Sequence, residues 1–364
     1  MTIKEITNLL EQWAPLSQAE DFDNVGLLVG NSSQEVSNIL VAHDALEHII
    51  DEAVAKNCNL IVCFHPIIFS GLKRLNGNNY VERAVIKAIQ HNVGIYAIHT
   101  ALDNMSKGVS YAMAQALQLE ESTILLPKKE SLYKLVTYVP HAFAKALKEA
   151  LHKAGAGHIG EYDQCSFSIK GEGTFRPSEN AKPFAGEKGK QHREDETQLH
   201  FTFEKQHKKN ILTALSQAHP YEEVSYEITA LENQNHHRGM GMIGLLNQPL
   251  TETDFLALVK ETFKTGGIRH SQRLNKTIQK VAVLGGSGAF AIQSAIAQGA
   301  DAYVTADLKY HDYYKAENQI LLADVGHYES ERFTKSLIGN YLTEKIRSFA
   351  VLLSEENTNP INYF

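Results

Sequence analysis

His327 and Glu331 are the residues whose types and spacing most clearly indicate chemistry. They stand four positions apart, so a helix that begins at this point places both side chains on one face. The run 320–325, apolar except for Asp324, comes just before them and predicts a buried strand. An imidazole and a carboxylate at a strand-to-helix turn form half of a transition-metal site. The spacing alone fits a surface pair better, but other parts of the chain reverse that preference.

Several other apolar runs also end in side chains that bind metals or protons. Runs 39–42, 60–64 and 94–98 end at His43, His65 and His99, Asp103 follows the third, and run 302–305 ends at Asp307, with His311 beyond it. In open α/β sheets, ligands bind outside the carboxyl ends of the strands. We therefore expect seven side chains to meet at one site: His65, His99, Asp103, Asp307, His311, His327 and Glu331.

Four of these residues form the predicted metal site: His65, Asp103, His327 and Glu331. Their mixture of nitrogen and oxygen donors suits Zn, Mn, Fe or Ni better than Ca or Mg. The set contains no cysteine, which favours an open hydrolytic site over a closed structural one. Taken singly, His65 could equally well be a residue that satisfies backbone groups as a metal ligand. Asp103 alone fits a helix or turn cap better than a metal ligand.

Four further residues are expected to support the site. His311 and His99 are the candidate general acids or bases, although His311 fits a surface histidine equally well. Asp307 and Asp44 are expected to orient metal ligands through hydrogen bonds.

Composition excludes several classes of protein. The net charge of −7 and the pI of about 6.2 leave no basic surface for nucleic acid. No apolar run approaches the length of a membrane span, and no signal peptide is recognisable. The three cysteines suggest no paired framework and suit a reducing cytosol. A chain of 364 residues is long enough for two or three domains.

The order of the predicted elements indicates two domains. Both ends of the chain alternate short buried strands with helices, as in layered α/β domains. The middle third predicts the order βαββαβ, the ferredoxin-like plan, with a long polar loop or hairpin at 170–195. We expect residues 1–127 and 236–364 to close into one metal-binding α/β domain, with the α+β domain 128–235 inserted into it.

Three further motifs fit structural roles better than chemical ones. Asp23-Asn24 could bind a substrate, but a turn is favoured. Gly285–Gly288 follows a predicted strand and could bind an anion, but close backbone packing is favoured. Glu222 and Glu223, in the stretch His219–Glu223, could act as an acid/base pair, but a turn is again favoured.

The chain resembles a known family across essentially its whole length. The matching stretches of the core are Asp23–Leu27, His65–Phe69, His99–Asp103, Thr305–His311 and Gly326–Tyr328 with Glu331; those of the insert are His158–Gly160, Gly171–Phe175 and His219–Glu223. They resemble the Ngg-interacting factor three-like family, whose bacterial members are called GTP cyclohydrolase I type 2 homologues. The insert resembles the CutA/PII-like domain of the longer members.

The resemblance implies a dinuclear metal site in a ring-shaped homohexamer. By the family pattern, His65, His327 and Glu331 hold one metal, and Asp103 and Glu331 share the other with a further histidine. Phe64 occupies the position of that histidine and cannot ligate a metal. We therefore expect one firm site, with zinc as the preferred metal, and a second site that is weak or absent. His43 or His99 could compensate from neighbouring strand ends.

Two functions from different classes follow. The first is a cytoplasmic metal-dependent hydrolase of a nucleotide-like substrate, with GTP cyclohydrolase chemistry suggested by the family name. The second is a non-catalytic hexameric scaffold or regulator that binds metal and senses a small effector through the insert; Phe64 favours it. A phosphoesterase is the third option, should the turn Gly285–Gly288 bind an anion.

Overall fold

Both ends of the chain build one folding unit, and the residues between them build another. The structure, a computed structural model, describes residues 1–129, 131–160 and 162–364. The first unit comprises Met1–Pro127 and His237–Phe364, and the second comprises Lys128–His236.

The elements of the N-terminal segment follow the predicted alternation. They are α1 (Ile3–Trp13), β1 (Gly26–Val29), β2 (Ile39–Ala42), α2 (Glu47–Ala55), β3 (Leu60–Cys63), α3 (Tyr80–Gln90), β4 (Gly94–Ala97), α4 (His99–Asp103), α5 (Val109–Ala116) and β5 (Glu120–Lys128). The first helix begins with a capping box, in which Thr2 and Glu5 satisfy each other's backbone N–H groups.

The middle segment shows the predicted order βαββαβ. Its elements are β6 (Leu132–Pro140), α6 (Ala144–Lys153), β7 (Phe167–Phe175), β8 (His192–Glu204), α7 (Lys208–Ala218) and β9 (Tyr226–Ala230). The strands form one sheet in the order β7-β8-β6-β9, and one side of it carries the apolar core of this unit. The stretch 170–195, predicted as a long polar loop or hairpin, lies in a hairpin, because β7 runs on to Phe175, β8 begins at His192 and the two strands pair antiparallel.

The C-terminal segment returns to the first unit. Its elements are β10 (Asn235–Thr251), α8 (Glu252–Phe263), β11 (Arg269–His270), β12 (Thr277–Ser287), α9 (Ile292–Ala297), β13 (Ala302–Ala306), β14 (Leu321–Asp324), α10 (His327–Glu331), α11 (Thr334–Lys345) and β15 (Val351–Leu353). The glycine run at 285–288 was expected to follow a strand, but β12 extends through Ser287.

Two sheets organise the first unit. One has the order β1-β4-β3-β2-β15, with β2, β3, β4 and β15 parallel. The other has the order β11-β14-β13-β12-β10-β5, with β12, β13 and β14 parallel. Strand β15 pairs with β2, so residues from the two ends of the chain share one sheet.

Both faces of the first sheet are covered, which explains why its central strands are continuously apolar. Alternate residues of β2 and β3 face α1 and α11 on one side and α2 and α3 on the other. The parallel strands of the second sheet are packed on both faces in the same way. No helix in the described residues has the length and apolar character needed to cross a membrane.

Candidate metal centre

The candidate site lies where parallel strands of the first unit end. His43 and Asp44 directly follow β2, and His65 lies two residues beyond β3. His327 and Glu331 are the first and last residues of α10, the helix that puts both side chains on one face. Gly326, before that helix, has a φ of +94°, a backbone conformation that residues with a Cβ rarely adopt. The turn after β14 thus brings both ends of α10 to the site.

Three imidazoles converge on one oxygen of Glu331. The Nε2 atoms of His65 and His327 each lie 3.2 Å from Glu331 Oε2, and His43 Nε2 lies 3.3 Å from it. The Nε2 atoms of His65 and His327 are 3.4 Å apart. Glu331 is only 3% exposed. Because little water reaches a buried carboxylate, its negative charge must be stabilised by the histidines or by a cation that they bind.

The opposite nitrogen of each ring is held by an acceptor. His65 Nδ1 lies 2.9 Å from Asp44 Oδ1, and His327 Nδ1 lies 2.7 Å from Asp307 Oδ2. A carboxylate can only accept, so both Nδ1 atoms carry the proton of the neutral ring. Both Nε2 atoms then direct lone pairs toward Glu331. Asp44 and Asp307 thus stand where the sequence expects residues that orient metal ligands.

His43 is held in the same tautomer by a different route. Its Nδ1 lies 3.1 Å from Thr334 Oγ1, and the Thr334 hydroxyl donates to the backbone oxygen of Glu331 at 2.8 Å. The only hydroxyl proton is therefore committed, so Thr334 accepts from His43 Nδ1–H. His43 Nε2 and Glu331 Oε2 are buried, and neither has a hydrogen-bond partner among the described residues.

These residues fit a transition metal. Metal–ligand bonds of about 2.0–2.1 Å in tetrahedral geometry place neighbouring donor atoms about 3.3–3.4 Å apart. The three separations among His65 Nε2, His327 Nε2 and Glu331 Oε2, 3.2 to 3.4 Å, agree with that value. Imidazole nitrogens with one carboxylate oxygen suit Zn, Fe, Ni or Mn. The orphaned, buried acceptors His43 Nε2 and Glu331 Oε2 require a cation between them, either a proton or a metal ion.

The ionisation of the metal-free site reflects the same requirement. Burial lowers the pKa of His65, but the protonated ring can donate to both Asp44 and Glu331, which outweighs burial and raises the pKa to about 9. For His327 the partners are Asp307 and Glu331, and the pKa rises to about 11. Burial raises the pKa of Glu331, but its three histidines hold it well below the usual value. Without a metal, protons take its place, and metal binding releases them.

Asp103 lies near this centre without joining its closest group. The described residues include two groups whose ligand atoms all lie within 4.8 Å of one another: His65 with His327 and Glu331, and His43 with Asp44 and His65. Asp103 ends α4, and burial together with the charge of Glu331 raises its pKa well above the ordinary value. The structure therefore places it beside the centre as an electrostatic neighbour of Glu331.

Phe64 and His99 do not contribute donors to these groups. Phe64 is fully buried in the core that includes α1 and α11. The ring of His99 meets Phe64 edge-on, and its Nδ1 lies 2.8 Å from Asp23 Oδ1. Asp23 also accepts from the backbone N–H and the hydroxyl of Thr100. Asp23 thus fastens the turn before α4, which agrees with the structural role favoured for it.

His311 lies exposed in a 3₁₀ helix, Tyr310–Ala316, and its ring contacts Tyr310 and Tyr314. In the described part of the chain, neither ligand group includes it. His43, by contrast, was named in the sequence only as a substitute for a missing ligand. The signal that could have found it is a histidine directly after a buried strand, followed by an aspartate.

Gly286 shows why the glycine run lies beside the site. Its φ is +69°, and an added Cβ would collide with Glu331 Oε1. Its N–H donates to Ser330 Oγ at 2.9 Å. This donor is therefore not free to hold an anion, and close packing against Glu331 explains the glycine.

The His219–Glu223 stretch of the second unit forms a turn. His219 Nε2 donates to the backbone oxygen of Tyr138 at 2.8 Å, and its Nδ1 accepts from Tyr221 N–H at 3.1 Å. Glu222 accepts from the backbone N–H of Lys182. These contacts favour a structural role over a pair of catalytic carboxylates.

A cavity of about 610 Å³ opens onto the metal centre. Its lining includes His43, His65 and His327, and Tyr80 and Tyr328 add aromatic surface. This volume lies in the range of sites for small organic ligands, about 300–1,000 Å³. A substrate bound there would contact the exposed edge of the ligand cluster.

Comparison with known proteins agrees with the motifs. The Bacillus subtilis protein called GTP cyclohydrolase 1 type 2 homolog is 37% identical over 366 residues, covering 99% of this chain and 98% of its own. A Bacillus cereus protein related to NIF3 superposes with a TM-score of 0.83 at 33% identity, covering 100% of this chain and 99% of its own. A Staphylococcus aureus structure superposes with a TM-score of 0.79 at 30% identity, with the same coverage. The model of the Duf34/NIF3 (NGG1p interacting factor 3) family matches residues 1–360, so the resemblance is confirmed and the chain belongs to this family.

Proposed function

We propose that this chain is a metal-dependent hydrolase of a nucleotide-like substrate, with His65, His327 and Glu331 as the ligands of its metal. The observation that carries the proposal is the convergence of imidazole lone pairs on one buried carboxylate oxygen. The donor set suits zinc. The relatives' printed name, GTP cyclohydrolase 1 type 2 homolog, suggests a purine nucleotide as the first substrate to test.

A divalent metal held there supplies Lewis acidity and lowers the pKa of a water molecule toward neutrality. Asp44 and Asp307 keep the ligand imidazoles in the tautomer that binds metal. Asp103 is the further oxygen donor that we propose; burial and the charge of Glu331 raise its pKa, and a bound cation would favour its charged form. His99, whose ring lies edge-on to that of His65 at 5.2 Å between centroids, is the proton shuttle we favour over His311.

Formate release from GTP tests the hydrolase. Zinc-loaded protein should release formate in proportion to GTP consumed, and His327→Ala should abolish it. His91→Ala is a matched control, because His91 is an exposed histidine at the end of α3. A fully loaded sample that shows no turnover of GTP or of other nucleotides would contradict the hydrolase.

A second candidate function is a metal-binding regulator that senses an effector through residues 128–235. The observation in its favour is a cavity of about 530 Å³ within the second unit, lined by Tyr138, Phe175, Phe184, Tyr221 and Arg176 among others. The order βαββαβ and the sheet order support our proposal that this unit is an inserted CutA/PII-like domain. The homohexamer and the cytoplasmic location stay predictions.

Ligand screening on the full chain tests the regulator. A small molecule that raises the thermal midpoint of the native chain but not of Arg176→Ala or Tyr221→Ala, without being consumed, would favour this function. Consumption of the molecule would favour the hydrolase.

A further inference from the structure

We infer that His43 is a metal ligand and that it creates a second metal position, which shares Glu331 with the ion on His65 and His327. The inference rests on the proposed metal centre and extends it. Phe64 offers no donor atom, and His99 directs its Nδ1 toward Asp23. His43 is the remaining strand-end histidine with a nitrogen on Glu331.

The first argument is the pair of facing acceptors. His43 Nε2 and Glu331 Oε2 lie 3.3 Å apart, and both are buried without a hydrogen-bond partner in the described residues. The proton of the neutral ring is on Nδ1, because Thr334 has already committed its hydroxyl proton to a backbone oxygen. Two buried acceptors that face each other repel, and each costs desolvation energy. A cation between them removes both penalties.

The second argument is direction. His65, His327 and Glu331 form one group of ligand atoms that all lie within 4.8 Å of one another, and His43 groups instead with Asp44 and His65. Among the described residues, His43 therefore does not complete the first group, although it contacts the oxygen that this group shares. It approaches Glu331 from another side. A donor in that place serves a second ion better than it serves the first.

The third argument is charge. Asp44 and Asp307 lie against the Nδ1 atoms of His65 and His327, and Glu331 lies against their Nε2 atoms. When the histidines bind metal they are neutral, so one divalent ion leaves one negative charge of these three carboxylates uncompensated. Glu331 is the most buried of the three, so its charge is the least screened by water. A second cation beside Glu331 offsets that charge.

The fourth argument is preorganisation. The His43 ring is 3% exposed and meets Tyr328 edge-on, with centroids 5.1 Å apart. The Phe64 ring also lies beside the His43 ring, with centroids 5.7 Å apart. With Nδ1 fixed by Thr334, the ring has one orientation, which aims Nε2 at Glu331. A ligand fixed in this way loses little conformational entropy on binding an ion.

The alternative is that His43 is protonated and forms a buried ion pair with Glu331. That arrangement also satisfies both acceptors, but it binds no ion. Counting metal ions in the native chain and in a His43 variant separates the two.

Cobalt titration of the chelator-stripped full chain is the test. Cobalt bound by imidazole and carboxylate absorbs visible light, and equilibrium dialysis counts the ions per chain. The native chain should bind two equivalents, and His43→Leu should keep one while the second weakens about 100-fold or more, since loss of an outer contact alone costs about 10–100-fold. His91→Leu, a change at an exposed histidine, should keep both.

Two further variants, Thr334→Val and His327→Ala, test the second and the first metal position separately. Thr334→Val keeps the ligand but removes the acceptor for His43 Nδ1–H, so the second equivalent should weaken by about 10–100-fold while the first is unchanged. Circular dichroism of each chelated variant shows that it is folded. A native chain that binds one equivalent, or a folded His43→Leu chain that still binds two, would overturn the second position. His327→Ala tests the first position independently, so failure of the proposed function is distinguishable.

Discussion

Asp307 provides the sharpest test of how the protein prepares a metal ligand. Its Oδ2 accepts from His327 Nδ1 at 2.7 Å and from Ser287 Oγ at 2.5 Å. Its φ is +55°, a conformation that asparagine also tolerates, so Asp307→Asn changes the charge and leaves the backbone unstrained. A charge-assisted hydrogen bond contributes about 1.5–3 kcal/mol, against about 0.5–1.5 kcal/mol for a neutral one.

The expected loss is therefore about 1 kcal/mol, because Asp307 is 44% exposed and water screens part of its charge. That corresponds to an affinity for zinc that is about five-fold weaker. Asp307→Ala removes the acceptor and should weaken zinc by about 10–100-fold. Competition with a chelating indicator at pH 7.5 measures both. Asp312→Asn is the matched control, since Asp312 is a nearby carboxylate that contacts Lys309 and Lys315. Zinc affinity within two-fold of native in Asp307→Ala would refute the reasoning.

Three further predictions follow from the same structure. In chelated protein the pKa of His65 is about 9 against an ordinary value of about 6.5, so its contribution to the free energy of unfolding is fully present below pH 6.5 and is lost as pH rises through 9. The urea midpoint should fall over that range, and an unchanged midpoint would contradict the assignment. Gly286→Ala should weaken zinc at least about ten-fold, because the added Cβ displaces Glu331 and the positive φ costs about 1–2 kcal/mol; native affinity would mean that Glu331 is not held there. A thiol reagent should modify Cys165 alone in native protein and three thiols after denaturation, since the other two cysteines are buried; rapid native reaction of a second thiol would show that the core opens.

Short-range patterns in the sequence predicted the strands that carry the site. The runs before His43 and His65 are apolar at every position, and the run before His327 is interrupted only by Asp324; each contains a buried strand. The spacing of His327 and Glu331 places both side chains on one face if a helix begins there, and α10 begins and ends at those residues. These features depend on neighbouring residues, which is why the sequence alone could show them.

Long-range contacts were beyond such patterns. Strand β15 pairs with β2 across roughly three hundred residues, and nothing local to Val351–Leu353 indicates its partner. The choice between His43 and His99 depends on packing as well. Thr334, in α11, fixes the orientation of the His43 ring, whereas Asp23, in the loop before β1, fixes that of the His99 ring. The sequence could name both histidines but could not say which one faces Glu331.

The most direct test of the account is anomalous diffraction from crystals of protein purified without chelator or affinity nickel. The account predicts a metal peak about 2.0–2.2 Å from His65 Nε2, His327 Nε2 and Glu331 Oε2, the usual range for nitrogen and oxygen ligands of zinc. Metal-loaded crystals with no peak among these three atoms would contradict it.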